Sequence, residues 1–395
     1  MSLRLAILGL DPIQRDWLDA VAALAGTGEI EIHGIGHRSI AAAKDIASVL
    51  KLPGGSAAGA RAIPTYDDLR LLLKDAAPQV ILLDRPPNVT IDFLLACVEQ
   101  NIGILSLGPP VESFAEAQAL AAHLSPRSHL LYIWPRFADA PASQHCAQAD
   151  DFVRPIRFAA ASWMGVNHAL AKVLPAETPL PDLPVRSLSV LAWDALSTLI
   201  RLIDVPTSVF AAVRGTVGSG NTFSDVSGAA SLTLRFPDDA AASLTLCDRA
   251  PAMVDRVGPS PWNRRDLLLW GAGGTLKLDA HVYEFRDAEG HLIDAGGNVG
   301  SVASVMPSVS ASGHHAGGQV GQASLFAQGA SIGPPRVSVA LQTLREFLRQ
   351  YGLPPSPHRG WEHRLEEVAA TMEALIVSHR TGQAESPERF RHLRR

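Results

Sequence analysis

The pattern of apolar and polar positions changes character about a third of the way along the chain. Up to that point, short unbroken apolar runs alternate with longer segments whose apolar residues recur at helical spacing. The runs Leu3 to Leu8, Ile30 to Ile35, Gln79 to Asp84 and Ile102 to Leu107 read as strands. Between them, Asp11 to Leu24, Ser39 to Leu50, Tyr66 to Leu73, Thr90 to Gln100 and Val111 to Leu124 read as helices, with Ser39 as an N-cap ahead of an alanine-rich stretch. Strands apolar on both faces need cover on both, and helix-linked strands run parallel. Residues 1–125 therefore predict a doubly covered α/β domain with a parallel sheet.

After about Phe137 the pattern predicts shorter strands separated by Gly, Pro and Asp turns. Candidate strands are Val153 to Ser162, Ser208 to Val217, Ala229 to Phe236, Ala241 to Cys247, Asp266 to Trp270 and Thr275 to Tyr283. Phe236-Pro237-Asp238-Asp239 and Asp287-Ala288-Glu289-Gly290 have the residues that join antiparallel strands. One helix, Trp193 to Ile203, interrupts the series, and helices Val337 to Tyr351 and Glu362 to Thr381 follow it. Residues 126–395 thus predict an α+β domain with an open, mostly antiparallel sheet. Within it, 295–335 is dominated by Gly, Ser, Ala and Val without a period, and it is too long for an ordinary loop. It reads as a flexible insertion, or alternatively as a lid or partner-binding segment. His314-His315 lies inside it with no Cys or acidic neighbours to complete a metal site.

Composition narrows the class without naming a chemistry. A net charge of -5 gives no expectation of nucleic acid, and the basic tail Arg389 to Arg395 is short enough to be a solvated end. Cys97, Cys146 and Cys247 stand apart, which favours a reducing compartment and gives no metal signal. The N-terminal apolar run is interrupted by Asp11 and lacks a cleavage site, so it does not read as a signal peptide. No uninterrupted apolar stretch of about 20 residues offers a membrane span. The expectation is a cytoplasmic protein with no metal, no nucleic-acid partner and no membrane partner.

The first turn carries the most specific chemical information. A dinucleotide-binding strand–turn–helix reads G-x-G-x-x-G: the second glycine admits the pyrophosphate and the third allows close helix–strand packing. Here the stretch is Gly9-Leu10-Asp11-Pro12-Ile13-Gln14. Gly9 holds the first position, but Asp11 and Gln14 hold the others, and Asp11 sets a carboxylate where a cofactor would bring its own negative charge.

Element order and several short motifs resemble the glucose–fructose oxidoreductase, inositol dehydrogenase and MocA (Gfo/Idh/MocA) family over nearly the whole chain. The carriers of the likeness are Tyr66-Asp67-Asp68-Leu69 before the fourth strand, Arg85-Pro86-Pro87-Asn88 after it, and Tyr132-Ile133-Trp134-Pro135-Arg136-Phe137 leading out of the first domain. Leu341 to Leu348 and Ala374 to Gly382 resemble the closing helices. The resemblance implies a Rossmann domain joined to an open-faced sheet, an NAD or NADP cofactor, a sugar or cyclitol hydroxyl as substrate, and a homo-oligomer or paralogous subunit as partner.

At the positions where the family works, this chain departs from it, and it reads as a divergent member. The family's E-K-P triplet falls on Leu107-Gly108-Pro109, so glycine stands for the lysine that contacts nicotinamide and substrate. Its H-x-x-D pair falls on Asp194 and Ser197, or on Trp193 and Leu196 if the register shifts by one. Asp194 remains a candidate base, although an exposed helix carboxylate is the plainer reading. Gly9, Pro86 and Asn88 are the cofactor-contact positions that persist. The second strand ends in Gly36-His37-Arg38-Ser39, where the family often has an acidic residue for the ribose. His37, Arg38 and Ser39 suit the 2′-phosphate of NADP, or form a solvated loop with an ordinary N-cap. Trp163, Trp193 and Trp262 offer aromatic faces for a sugar or simply core anchors, and Trp262 to Asp266 offers an anion site or solvated charge. No G-x-S-x-G element or Walker loop supports another enzyme class. Two functions follow: a non-catalytic binding or oligomerisation relative, favoured because phosphate, lysine and acid/base positions have all changed, or an active NAD(P)-dependent oxidoreductase with altered cofactor binding.

Overall fold

The computed structural model describes residues 2–10, 15–37, 39–50, 62–84, 89–125, 127–134, 153–166, 187–217, 226–250, 264–279, 282–297, 337–352 and 362–392. The first domain alternates β1 (Leu3–Leu8), α1 (Arg15–Gly26), β2 (Ile30–Gly36), α2 (Ile40–Val49), β3 (Thr65–Tyr66), α3 (Leu69–Leu71), β4 (Val80–Leu83), α4 (Ile91–Glu99), β5 (Gly103–Ser106), α5 (Phe114–Leu124) and β6 (Leu131–Ile133). All of its strand pairs are parallel, in the order β3-β2-β1-β4-β5-β6. The sheet runs past residue 125 to include β6. Strand order reverses between β1 and β4, and such a switch point opens a crevice outside the carboxyl ends of the strands.

Local chemistry starts the helices. Ser39 Oγ accepts from Ala42 N at 3.4 Å, Asp68 Oδ1 from Arg70 N at 2.8 Å, Thr90 Oγ1 from Phe93 N at 3.4 Å, and Ser113 Oγ from Glu116 N at 3.3 Å. Each satisfies a donor the helix leaves unpaired, a contribution of about 1 kcal/mol. The segment expected as one helix from Tyr66 to Leu73 instead starts at Leu69 and widens into a π turn over Leu72–Ala76, ending at Ala77 with φ 40°. Leu72 and Ala76, four residues apart, both face the core.

The second domain contains β7 (Ile156–Val166), α6 (Ser187–Leu202), β8 (Ser208–Val217), β9 (Val226–Arg235), β10 (Ala241–Ala250), β11 (Arg264–Gly271), β12 (Gly274–Asp279), β13 (Val282–Arg286) and β14 (Leu292–Gly297), then α7 (Val337–Tyr351), α8 (Glu362–Thr381) and α9 (Pro387–His392). The eight strands lie in the order β14-β13-β12-β11-β7-β10-β9-β8, antiparallel except for β10 against β7. The stretch expected as a single strand from Thr275 to Tyr283 is a hairpin, with Leu278 opposite Tyr283. Inward positions change parity there, from Leu276 and Leu278 to Tyr283 and Phe285, as a reversal through an even number of loop residues requires. Residues 295–297, at the start of the expected insertion, pair with β13; the rest of that segment, with His314 and His315, lies outside the described residues.

Period-2 alternation divides the large sheet into two faces. Ala159, Ala161, Trp163, Leu232, Leu234, Leu244, Leu246, Leu267 and Leu269 point inward against α6 and α8, while Phe158 and Phe210 point out and stay exposed. The closing helices reach back to the first domain. Ala340, Leu344 and Phe347 of α7 share a core with Leu18 and Val21 of α1, and α8 packs on α5, α6 and β8. No helix among the described residues is long and apolar enough to cross a membrane.

Candidate functional site

Four elements, β5, β6, α6 and α8, converge on one cavity at the domain junction. β5 delivers Leu107 and Gly108 to its wall, and the backbone there is fixed: Leu107 N donates to Leu83 O at 2.8 Å, and the fully buried Ser106 Oγ donates to Gly108 O at 2.8 Å. Trp134 N donates to Ser106 O at 2.8 Å, which brings Ile133 and Trp134 alongside. α6 presents Val190, Trp193, Asp194 and Ser197, spaced i, i+3, i+4, i+7 so that one helix stripe forms the opposite wall. The first turns of α8 add Arg364, Leu365 and Val368. Water-sized molecules have about 30 Å³ for their centres in this cavity.

Asp194 is not the exposed helix carboxylate expected from its surroundings in sequence; it is only 6% exposed. The helix face that carries it turns into the junction, and the fully buried Trp163 Nε1 donates to its Oδ2 at 3.0 Å. Thr198 Oγ1 donates to Asp194 O at 2.8 Å, tying the same turn from below. Gly108 lies across the cavity from α6. A Cβ built there would stand 3.7 Å from Val190 Cγ2, an ordinary contact, so packing does not demand glycine at this position.

At the switch point, Gly9 adopts φ 69°, a left-handed conformation that glycine takes without steric cost, and its N–H donates to Gly36 O at 2.9 Å. Leu10 is fully buried. Gly36 fits tightly, since a Cβ there would come within 2.5 Å of Leu8 Cδ2. Beyond it, His37 N donates to Tyr66 O at 3.0 Å, and His37 Nδ1 accepts from Ser39 N at 3.0 Å. With Ser39 Oγ capping α2, both residues have structural work at the start of that helix. Asp11, Gln14, Arg38, Pro86, Asn88 and Trp262 lie outside the described residues.

The structure therefore brings Gly108, Trp193, Asp194 and Ser197 together, while Gly9, His37 and Ser39 lie at the β1–β2 end of the sheet and do not line the cavity. Trp163 supports Asp194 from the core. Sequence reasoning did not single out Val190 or Arg364. Val190 was findable from the helical stripe ending at Ser197; Arg364 was not, because it enters from a helix some 170 residues away in sequence.

One other cluster of potential metal ligands occurs among the described residues, at the β13–β14 turn. The side-chain ligand atoms of Asp287, Glu289 and His291 lie within 4.8 Å of one another. The turn itself accounts for much of this, because His291 N donates to Asp287 Oδ1 at 2.8 Å and the ring Nδ1 lies 3.2 Å from Oδ2.

No protein-family model and no curated protein matches the sequence. Solved structures do match over nearly the full length. Levoglucosan dehydrogenase in complex with NADH and levoglucosan superposes with a TM-score of 0.67 at 12% identity, covering 98% of this chain and 99% of that one. UDP-N-acetylglucosamine 3-dehydrogenase GnnA from Acidithiobacillus ferrooxidans gives 0.62 at 13% identity over 96% and 98% of the two chains. An oxidoreductase from Agrobacterium radiobacter in complex with NAD+, L-tartaric acid and magnesium gives 0.66 at 14% identity over 99% and 100%. At such identities the likeness establishes the fold: this chain has the two-domain architecture of NAD-binding oxidoreductases, a Rossmann-like parallel sheet joined to a mixed, mostly antiparallel one.

Proposed function

We propose that this chain is a non-catalytic relative of the nicotinamide-dependent sugar oxidoreductases, keeping their two-domain fold as a binding or oligomerisation module. The observation that carries the reading is the lining of the junction cavity. Its ionisable members among the described residues are Asp194 and Arg364, and glycine stands at the position that resemblance assigns to the lysine. Dehydrogenation of a hydroxyl needs a group to take its proton and a cation or donor to polarise the oxygen, both beside the carbon that meets the nicotinamide. Asp194 is held by Trp163, and no histidine lines the cavity among the described residues. The described cofactor positions fit the group no better: His37 Nδ1 and Ser39 Oγ are engaged in capping α2. On this reading neither NADP nor NAD is held in the micromolar range, and cysteine usage supports a cytoplasmic protein.

The outer face of the large sheet supports the module reading. Phe158 and Phe210 are 39% and 43% exposed, and Phe158 packs against the Trp270 ring at 5.3 Å between centroids. The two phenylalanines lie on a face that also exposes Ser231, Thr233, Ser243 and Thr245, the mixed polar and apolar character of a surface that meets a second copy of the chain or a paralogous subunit.

A second reading, an active NAD(P)-dependent oxidoreductase acting on a sugar or cyclitol hydroxyl, is favoured by one observation. Gly9 keeps the left-handed turn from which a phosphate-binding helix N-terminus starts. A turnover assay decides between the two. Purified folded protein is incubated with NAD+ or NADP+ and a panel of aldoses, cyclitols and anhydrosugars while nicotinamide reduction is followed. The non-catalytic reading predicts no enzyme-dependent reduction; turnover with any member of the panel would overturn it.

A further inference from the structure

We infer that the junction cavity binds a small organic monocarboxylate, with Arg364 as its countercharge. This rests on the reading that the cavity serves binding rather than hydride transfer, and it adds the ligand class. Arg364 is the third residue of α8 and lines the cavity with Leu365 and Val368. Its Nη1 is buried and has no hydrogen-bond partner among the described residues. An unmatched buried donor on a charged group costs at least about 1–3 kcal/mol. The position adds to that cost, because the first turn of a helix is the positive end of its dipole and disfavours a cation. A hydrophobic residue of similar length would carry neither penalty. A guanidinium with an unmatched buried donor beside a cavity is what an anion site looks like before its anion arrives.

The rest of the lining sets the kind of anion. Leu107, Ile133, Val190 and Val368 give aliphatic walls and Trp193 an aromatic one, so the ligand carries an apolar body. The guanidinium fork matches a carboxylate, two N–H groups to two oxygens. Asp194 contributes a negative charge to the same lining, which disfavours a dianion such as phosphate more than a monoanion. Ser197 offers a hydroxyl to a second polar group on the ligand, and the absent side chain at Gly108 leaves the space the ligand occupies.

The test is a titration of the full chain with propionate, lactate and, for comparison, inorganic phosphate, read by tryptophan fluorescence because Trp134 and Trp193 line the site. Saturable quenching or enhancement by at least one carboxylate is expected, with phosphate at least about tenfold weaker. Arg364→Met is expected to raise the carboxylate Kd at least about tenfold, Arg364→Lys to raise it less, and neither to lower the urea unfolding midpoint. Gly108→Leu, which fills the cavity from the other wall, is expected to fold and to lose binding. Absence of a saturable change with every carboxylate, unchanged affinity in Arg364→Met, a lowered midpoint in that variant, or phosphate binding as tightly as carboxylate would each overturn the proposal. Nicotinamide turnover would overturn the non-catalytic reading and leave measured carboxylate binding standing. A lack of carboxylate binding in a protein without turnover would overturn this inference alone.

Discussion

Asp194 shows how a single hydrogen bond can decide what a carboxylate does. Burying it costs free energy that only well-aimed donors can offset, and Trp163, itself fully buried, supplies one at 3.0 Å. Trp163→Phe removes that donor together with one fused ring, which also leaves a small cavity. The expected result is a loss of at least about 1–3 kcal/mol in urea unfolding, the usual cost of leaving a charged group short of a partner, and a smaller loss when Asp194→Ala is already present; an equal loss in both backgrounds would show that the indole contributes only packing. The tryptophan–carboxylate pair was invisible in the sequence because 31 residues separate its members and a strand faces a helix across the core. What could be read at this scale was backbone chemistry: Ser39 as a cap, Gly9 at a turn, and glycine where a lysine would stand, all properties of a residue and its near neighbours.

At the scale of elements, the closing helices fasten the second half of the chain to the first. α7 buries Ala340, Leu344 and Phe347 against the α1 side of the parallel sheet, and Gly103 leaves room for Tyr351, whose hydroxyl donates to Asn101 O at 3.0 Å. The Arg345–Glu29 pair at 2.8 Å lies over the same contact but is solvated. Phe347→Ala should therefore cost about 3–5 kcal/mol, and Glu29→Gln less than about 1 kcal/mol. The hydrogen bond from Arg345 holds the Glu29 carboxyl below its usual range. A lowered folded-state value stabilises above the ordinary carboxylate pKa and is lost as pH falls through the lowered one. The small Glu29→Gln effect should accordingly be present at neutral pH and vanish in acid, as read from urea midpoints at both pH values; equal costs for the two variants would mean that charge, not burial, holds α7. Helices α7 and α8 were legible to the residue, α7 from its amphipathic period and α8, which is buried on most sides, from a long run without Gly or Pro. The β12–β13 hairpin was not, because its reversal contains no Gly, Pro or Asn and only the parity change of Leu278 and Tyr283 marks it. β14 was hidden in the same way, merging into a Gly- and Ser-rich stretch.

On the function proposed above, fold and chemistry have separated in the molecule as a whole. Parallel and antiparallel halves follow from the two apolar periods, and solved oxidoreductases share the arrangement at 12% to 14% identity. Such a scaffold is held by buried aliphatic residues, any one of which can be exchanged for another of similar volume. Function depends on a few polar side chains at the junction, and there this chain has Gly108, a tethered Asp194 and Arg364 instead of the lysine and acid/base pair that the resemblance implied. The central claim, that the frame outlived the cofactor chemistry, is tested most directly by calorimetric titration of folded protein with NADH and NADPH. The account predicts no saturable binding of either nucleotide in the micromolar range; a saturable micromolar isotherm for one of them would contradict it.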